Sequence, residues 1–299
     1  MSMEMTLQAR GLCKSYTEKQ VLKDLDITIQ PGHIYGLLGR NGAGKTTLLG
    51  ILTGQNTHDS GTVTLGGEPV WENRKTRRYI CFSREQSSMT VVGPNPFKVR
   101  NYLRAASLLY PNWDGKTAEA ILSRMGIQPK QAVNKLSKGQ QSMVTVAIAM
   151  ASGAPITILD EPVAGLDVMA RREFYRMVLE EFGKGERTFV ISTHIIEEAA
   201  GVFDRVILLD EGKVLADEET DVLVNSLRTL SGPAEEVEQT AARLGLAVKQ
   251  MSALGSHRMA VVQGKPEALE ALEEESTLTV GGVSLQDAFV ALCGHSGEE

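Results

Sequence analysis

The chain has 299 residues, an apolar share of 42% and a formal charge of −6. These values fit a globular protein with one large and one small domain, and they exclude a nucleic-acid partner held mainly by counterion release. The three cysteines, Cys13, Cys81 and Cys293, lie far apart, which favours free thiols over a disulfide framework. We expect neither a secretory signal nor a membrane-spanning segment, because no apolar window has the required form or length.

The first 225 residues alternate strand-like and helix-like segments, which indicates an α/β domain. Val21–Ile29 alternates apolar and polar residues, as a half-buried strand does. Ile34–Leu38 is a short apolar run that predicts a buried strand. It leads directly into the most informative stretch of the sequence.

That stretch, Gly39–Thr46, fits the phosphate-binding pattern G-x-x-x-x-G-K-[ST]. Its glycines allow the backbone N–H groups to approach a polyphosphate. Lys45 can reach the β- and γ-phosphates, and the Thr46 hydroxyl can bind Mg²⁺. Thr46 and Thr47 open a predicted helix, whose N-terminal dipole favours anions.

Between about residues 97 and 151 the pattern becomes helical, which predicts a helical subdomain inserted in the α/β domain. In its first helix we expect Tyr102, Leu103, Ala106 and Leu109 to share one face. Further on, Leu136–Gln140 precedes an apolar helix. Ser137 there could be a simple helix cap or part of an anion site.

Ile156–Pro162 is an apolar strand that ends in two adjacent carboxylates, Asp160 and Glu161. Neighbouring side chains on a strand point to opposite faces, so we expect the two acids to differ in role. One would hold a Mg²⁺-bound water and the other would face an attacking water, although an acidic turn is the simpler interpretation. His194 follows the strand Thr188–Ser192, at the carboxyl end where such sheets bind ligands.

Residues 226–299 carry 5 basic and 11 acidic residues, whereas residues 1–225 are near neutral. This shift predicts a domain boundary after residue 225. The second unit has the predicted order strand, helix, strand, strand, helix, strand, followed by a last helix over Leu285–Leu292. That order is typical of a ferredoxin-like fold.

Four motifs follow one another along the chain: the phosphate loop, the Ser137 motif, the acidic pair and His194. With these motifs in this order, the chain resembles the ATP-binding subunit of an ATP-binding-cassette (ABC) transporter over about residues 5–220. In that family the corresponding motifs are Walker A (Gly39–Thr47), the signature (Leu136–Gln140), Walker B (Ile156–Glu161), the D-loop (Ala164–Asp167), the switch histidine (His194) and an adenine-stacking aromatic (Tyr16).

The resemblance implies an α/β P-loop NTPase fold of the ABC ATPase type with an inserted helical subdomain, over residues 1–225. A small α+β, ferredoxin-like C-terminal domain would occupy residues 226–299. The cofactors implied are ATP and Mg²⁺. Glu161 would polarise water, His194 would contact the γ-phosphate, and Thr46 and Asp160 would hold the metal.

The implied nucleotide-binding residues are Tyr16, Gly39, Arg40, Asn41, Gly42, Ala43, Gly44, Lys45, Thr46, Thr47 and Glu85, with Ser137, Lys138, Gly139, Gln140 and Asp167 in the signature and D-loop. In the family, two such chains enclose two ATP molecules head to tail, so that the signature of one chain serves the nucleotide of the other. A separate membrane permease would complete the transporter, with this chain at the cytoplasmic face of the membrane and no nucleic-acid partner.

Two positions depart from the family pattern. Lys138 replaces a glycine of the signature and adds a cation near the expected γ-phosphate. Glu85 aligns with the Q-loop glutamine, and as a carboxylate it could also contact Mg²⁺, although Gln86 lies one residue later. The region Gln86–Pro96, which in the family faces the membrane partner, is unlike the usual sequence.

Leu108–Asp114 and Val283–Phe289 resemble the ABC-2 group of bacterial drug- and peptide-export subunits. The alternative function is a soluble ABC ATPase that acts on ribosomes or DNA. Such proteins usually carry two cassettes or long basic segments, which this chain lacks. A different P-loop enzyme, such as a kinase, does not explain Leu136–Gln140. The sequence leaves the transported substrate and the choice between a homodimer and a heterodimer open.

Overall fold

The computed structural model describes residues 5–84, 97–185, 187–274 and 277–294, with the side chain of Leu254 left aside. The predictions for Glu85, Gln86 and the segment up to Pro96 therefore lie outside the described residues. Within the described ranges, no helix is long and apolar enough to cross a membrane.

The strands of the first 225 residues are β1 (Leu7–Tyr16), β2 (Lys19–Ile29), β3 (Ile34–Leu38), β4 (Ser60–Leu65), β5 (Glu68–Pro69), β6 (Ile80–Arg84), β7 (Ile156–Asp160), β8 (Thr188–Thr193), β9 (Arg205–Asp210) and β10 (Lys213–Glu219). The helices are α1 (Lys45–Leu52), α2 (Arg74–Arg77), α3 (Val99–Leu109), α4 (Gly115–Arg124), α5 (Lys138–Ala151), α6 (Val168–Phe182) and α7 (Thr220–Asn225), with a short 3₁₀ helix at Val133–Lys135.

A six-stranded sheet in the order β10-β9-β3-β8-β7-β6 forms the centre of this unit. Its strands are parallel except for β10, which pairs antiparallel with β9. A second, antiparallel sheet has the order β2-β1-β4-β5. Alternate residues of β3 enter two different cores: Leu37 joins the antiparallel sheet and α1, whereas Leu38 joins the helices on the other face. Because β3, β8 and β7 are adjacent and parallel, the loops that follow them meet at the same edge of the central sheet.

The predicted helical subdomain contains α3, α4 and α5. The prediction of which residues of its first helix face inward was wrong for one residue. Ala106 is buried and Tyr102 and Leu103 are half-buried, whereas Leu109 is 75% exposed. The helix ends at Leu109, and the next residue, Tyr110, turns inward in its place. The Tyr110 hydroxyl lies 3.2 Å from Cys81 Sγ on β6.

The C-terminal unit contains β11 (Leu227–Pro233), α8 (Ala234–Arg243), β12 (Ala247–Leu254), β13 (His257–Gln263), α9 (Pro266–Glu273), β14 (Thr279–Gly281) and α10 (Leu285–Cys293). Its sheet has the order β12-β13-β11-β14, with all neighbours antiparallel. This is the ferredoxin-like arrangement that the order of elements predicted. The boundary between residues 225 and 226 stays a prediction.

The last helix, α10, connects the two units. Its Ala288 and Ala291 pack with Leu227 and Val261 of the small sheet. Its Leu285 and Cys293 belong instead to the large core of the unit formed by the first 225 residues. Burial raises the pKa of the Cys293 thiol to about 12, with Asp210 adding to the rise and Arg40 of the phosphate loop opposing it.

We expect Leu285→Ala to lower the free energy of unfolding by about 2–5 kcal/mol, because it leaves a cavity in the large core. Chemical denaturation of the full chain measures this. The matched control is Val290→Ala on the same helix, where the side chain is 44% exposed; its effect should stay within about 0.5 kcal/mol. Equal effects of the two substitutions would show that α10 contributes little to that core.

Candidate functional site

The phosphate loop connects β3 to α1 and has the backbone geometry that its glycines permit. Gly44 has φ +107°, and a Cβ at this position would lie 2.9 Å from Leu22 Cδ2. A Cβ at Gly39 would lie 2.4 Å from the carbonyl oxygen of Leu209. Larger residues at either position would therefore push the loop away from the strands beneath it.

Lys45 is the first residue of α1 and is buried, with 6% of its surface exposed. Its Nζ donates a hydrogen bond to the carbonyl oxygen of Gly39 at 2.6 Å. The same Nζ lies 3.4 Å from Glu161 Oε1. Thr46 is exposed and Thr47 is half-buried at the start of the helix. The loop thus places an ammonium group at the N-terminus of α1, where backbone N–H groups have no partner within the helix, and this arrangement suits a polyphosphate.

The remaining loop residues line an open cavity of about 430 Å³ on the side of β2 and the β9–β10 turn. Its lining includes Lys19, Gln20, Val21, Lys23, Arg40, Asn41, Gly42, Ala43, Asp210 and Glu211. Tyr16 lies at the end of β1 and is 46% exposed. Lys14 Nζ lies 5.3 Å from the centroid of the Tyr16 ring, so one ring face carries a cation in this structure.

The two adjacent carboxylates have different surroundings. Asp160 is 4% exposed at the end of β7, and its Oδ1 accepts a hydrogen bond from the Ser192 hydroxyl at 2.5 Å. Glu161 follows the strand and has φ +47°, a left-handed conformation that is rare and strained for such a residue. The sequence predicted two roles from strand alternation. The structure separates the two side chains by this backbone turn instead.

Glu161 is the centre of the site's charged contacts. Its Oε1 faces Lys45, and its Oε2 lies 2.9 Å from His194 Nδ1. The side chain is 14% exposed, and that of His194 is 45% exposed. The structure therefore brings together Lys45, Glu161 and His194, which follow or end three neighbouring strands of the central sheet.

Ser192 is a functional candidate that sequence reasoning missed. Besides bonding to Asp160, its hydroxyl accepts the N–H of Glu161 at 3.0 Å. Ser192 is paired with Asp160 in the parallel register of β7 and β8. It therefore holds both acidic residues in place. A serine two residues before His194, at the end of the strand beside an acidic pair, was the available signal.

The Leu136–Gln140 motif adjoins the D-loop. Ser137 caps α5, where its Oγ accepts the N–H of Gln140 at 3.1 Å and Gln140 Oε1 accepts the N–H of Ser137 at 3.2 Å. A Cβ at Gly139 would lie 2.8 Å from the carbonyl oxygen of Gly165. Lys138 is exposed. Asp167 caps α6 by accepting the N–H of Ala170 at 2.9 Å.

The side chains present fit ATP and Mg²⁺. The Thr46 hydroxyl and the Asp160 carboxylate are oxygen ligands of the kind that Mg²⁺ prefers, with phosphates and water completing its shell. In the ranges that the structure describes, no group of three or more His, Cys, Asp and Glu side chains could hold a metal ion.

Comparison with known proteins places the chain in a family. A family model described as ABC transporter matches residues 22–164. Nod factor export ATP-binding protein I of Burkholderia lata is 32% identical over 227 residues, which cover 73% of this chain and 72% of that protein. ABC transporter ATP-binding protein YtrB of Bacillus subtilis is 28% identical over 212 residues, 70% of each chain.

Solved structures support the same fold. The chain is similar to an ATP-binding subunit of an ABC transporter with a TM-score of 0.62 and 24% identity, over 73% of this chain and 92% of that one. It is also similar to a dimeric ATP-binding cassette in a post-hydrolysis state bound to ADP and Pi, with a TM-score of 0.62 and 24% identity, over 72% of this chain and 98% of that one.

Proposed function

Because the chain belongs to the ABC transporter family as an ATP-binding subunit with ATPase activity, we propose that two such cassettes close head to tail around two ATP molecules and drive export through a separate membrane permease. The observation that carries this proposal is the contact of Glu161 with both Lys45 and His194. It joins a phosphate-binding cation, a candidate base and a candidate phosphate sensor in one site.

Each side chain has a role that its position supports. Lys45 leaves the carbonyl of Gly39 to bind the β- and γ-phosphates. Thr46 and Asp160 would hold Mg²⁺, which would neutralise charge on the phosphates. Glu161 orients the attacking water and accepts its proton. His194 leaves Glu161 to contact the γ-phosphate. Tyr16 stacks on the adenine.

The signature acts across the dimer in this proposal. Ser137, Lys138, Gly139 and Gln140 face the nucleotide of the second cassette, with the N-terminus of α5 directed at its phosphates. Because Gly139 packs on Gly165, closure of the dimer moves the signature and the D-loop together. ATP favours the closed dimer, and hydrolysis removes the phosphate that bridges the two chains.

The names of the relatives support the proposed direction. Several of the curated relatives are named Nod factor export ATP-binding proteins, which supports export. We propose a drug, a peptide or a similar solute as the transported molecule, in line with the resemblance of Leu108–Asp114 and Val283–Phe289 to drug- and peptide-export subunits. ATP-binding subunits of this family act with membrane components, so we propose that a separate membrane protein moves the solute. We propose that this chain binds peripherally at the cytoplasmic face of the membrane, with a second ABC ATPase chain that is identical or related.

The test is solute uptake into inverted vesicles that contain a membrane protein that co-purifies with this chain. We expect ATP-dependent uptake when the chain is added, and none when the Glu161→Gln chain replaces it. Co-sedimentation with ribosomes or DNA instead of the permease would favour the soluble alternative. Inward transport that requires an external solute-binding protein would contradict export and leave the ATPase assignment intact.

A further inference from the structure

A lysine lies over one face of the Tyr16 ring at the end of β1. Lys14 Nζ is 5.3 Å from the centroid of that ring, within the range of a cation–π contact. The Lys14 side chain is 12% exposed, whereas Tyr16 is 46% exposed. The cation is therefore largely withdrawn from solvent, while the ring remains open to a second partner.

Asp59 holds this lysine in place. Its Oδ1 accepts a hydrogen bond from Lys14 Nζ at 2.9 Å, and its Oδ2 accepts the N–H of Ser15 at 2.6 Å. The N–H of Asp59 donates to the carbonyl oxygen of Cys13 at 3.0 Å. The hydrogen bonds from Lys14 and from the Ser15 backbone lower the pKa of Asp59, so its carboxylate is ionised at neutral pH. Three successive residues directly before Tyr16 are thus tied to one side chain and its backbone.

The segment that carries Asp59 is connected to the helix of the phosphate loop. It joins α1, which begins at Lys45, to β4. Its first part folds back on that helix, where the N–H groups of Gln55 and Asn56 donate to the carbonyl oxygen of Gly50 at 2.8 and 3.0 Å. The aromatic ring and the phosphate-binding N–H groups therefore share one support.

We propose that Lys14 and Asp59 are positioning residues for the base of the nucleotide: Lys14 occupies one face of the Tyr16 ring, Asp59 fixes Lys14 there, and the adenine stacks on the opposite face. The inference rests on the proposed role of Tyr16. Two stacked aromatic rings present electron-rich faces to each other, and a cation behind one of them reduces that repulsion. The contact also restrains the ring before the nucleotide arrives, so less side-chain freedom is lost on binding.

The distinguishing consequence is a selective effect on ligands that contain a base. Lys14 acts through the Tyr16 ring in this proposal, whereas the phosphates are bound by the loop at the start of α1. Removing the cation should therefore weaken the binding of ATP and spare the binding of a ligand that consists of phosphates alone. A lysine that only supports the fold would affect both ligands.

The test is Lys14→Met in the full chain, which keeps a long apolar side chain and removes the charge. We expect the Kd for ATP to rise about two- to tenfold, the value of a partly desolvated cation–π contact. The inhibition constant of inorganic triphosphate against ATP hydrolysis should stay unchanged, and so should kcat at saturating ATP. Equal losses for the two ligands would overturn the proposal, and so would an unchanged Kd for ATP.

Asp59→Asn removes the charge that holds the lysine, and it should reproduce the selective loss of ATP affinity. In the double variant with Lys14→Met the two losses should not add, because Asp59 acts through Lys14. Additive losses would overturn the assignment of Asp59. The matched control is Lys184→Met, which removes another ion-paired lysine, the partner of Glu181 at the end of α6. It should leave the affinity for both ligands unchanged.

Tyr16→Leu separates this inference from the proposed function. If Tyr16 stacks on the adenine, its replacement raises the Kd for ATP selectively, and Lys14→Met then has no further effect in that background. An unchanged ATP affinity of the Tyr16→Leu chain would contradict the proposed role of Tyr16 itself. A selective loss in Tyr16→Leu without one in Lys14→Met would overturn the role of Lys14 and leave that of Tyr16 intact.

Discussion

Replacing Glu161 with glutamine should slow ATP hydrolysis by about 10²–10⁴-fold while ATP binding persists, because the amide cannot accept the proton of the attacking water. The shape of the side chain is conserved, so the contact with His194 can survive. Lys45 loses the carboxylate that now lies 3.4 Å from its ammonium group and becomes freer to bind phosphate. The variant should therefore accumulate as an ATP-bound dimer.

Three measurements test this expectation. Steady-state turnover measures hydrolysis, equilibrium binding measures the affinity for ATP, and sedimentation with and without ATP measures dimer formation. The control is Glu197→Gln, an exposed carboxylate three residues from His194 in sequence, which should leave turnover unchanged. Near-normal turnover of the Glu161→Gln chain would remove Glu161 from the role of base.

The second large effect should separate two residues that serve different nucleotides. Lys45→Ala should weaken ATP binding to the isolated monomer about 10- to 100-fold, the value of charge-assisted hydrogen bonds to the phosphates. Ser137→Arg should block hydrolysis but leave ATP binding to the monomer intact, because in the proposed dimer Ser137 serves the partner's ATP. Equal losses of monomer affinity in both variants would contradict the arrangement in trans.

Mixing the two inactive chains gives a sharper result. In a head-to-tail heterodimer, both substitutions fall in one nucleotide site, and the other site has an intact Lys45 and an intact Ser137. Turnover should therefore reappear on mixing. If each chain used its own signature, every site would retain one substitution and the mixture would stay inactive.

The sequence predicted the elements around the site well because local pattern determines them. The predicted strand Ile34–Leu38 coincides with β3, and the predicted strand Thr188–Ser192 ends one residue before β8 does. The phosphate loop could be predicted because few other structures require glycines, lysine and threonine at this spacing. In the C-terminal unit, the order of elements was sufficient to predict the ferredoxin-like sheet. Short alternating strands and helices with these connections have few ways to form one sheet.

The predictions were wrong or incomplete where the conformation or role of a residue depends on a neighbour from another part of the chain. Ser192 was overlooked as a support for the acidic pair because that role appears only when β7 and β8 are in register. The left-handed turn at Glu161 is held by hydrogen bonds to Ser192 and was not visible in the local pattern. Leu109 fits the helical period, but the helix ends there and Tyr110 takes the inward position.

The packing of α10 has a consequence for how the protein is made. Chains emerge from the ribosome in sequence order, and N-terminal domains generally fold first. Here Leu285 and Cys293 complete a core whose strands all lie before residue 220. We therefore expect the core of the ATPase unit to stay incomplete until α10, which follows the whole ferredoxin-like sheet in sequence, has been synthesised. The nucleotide site would then mature later than the order of its own strands suggests.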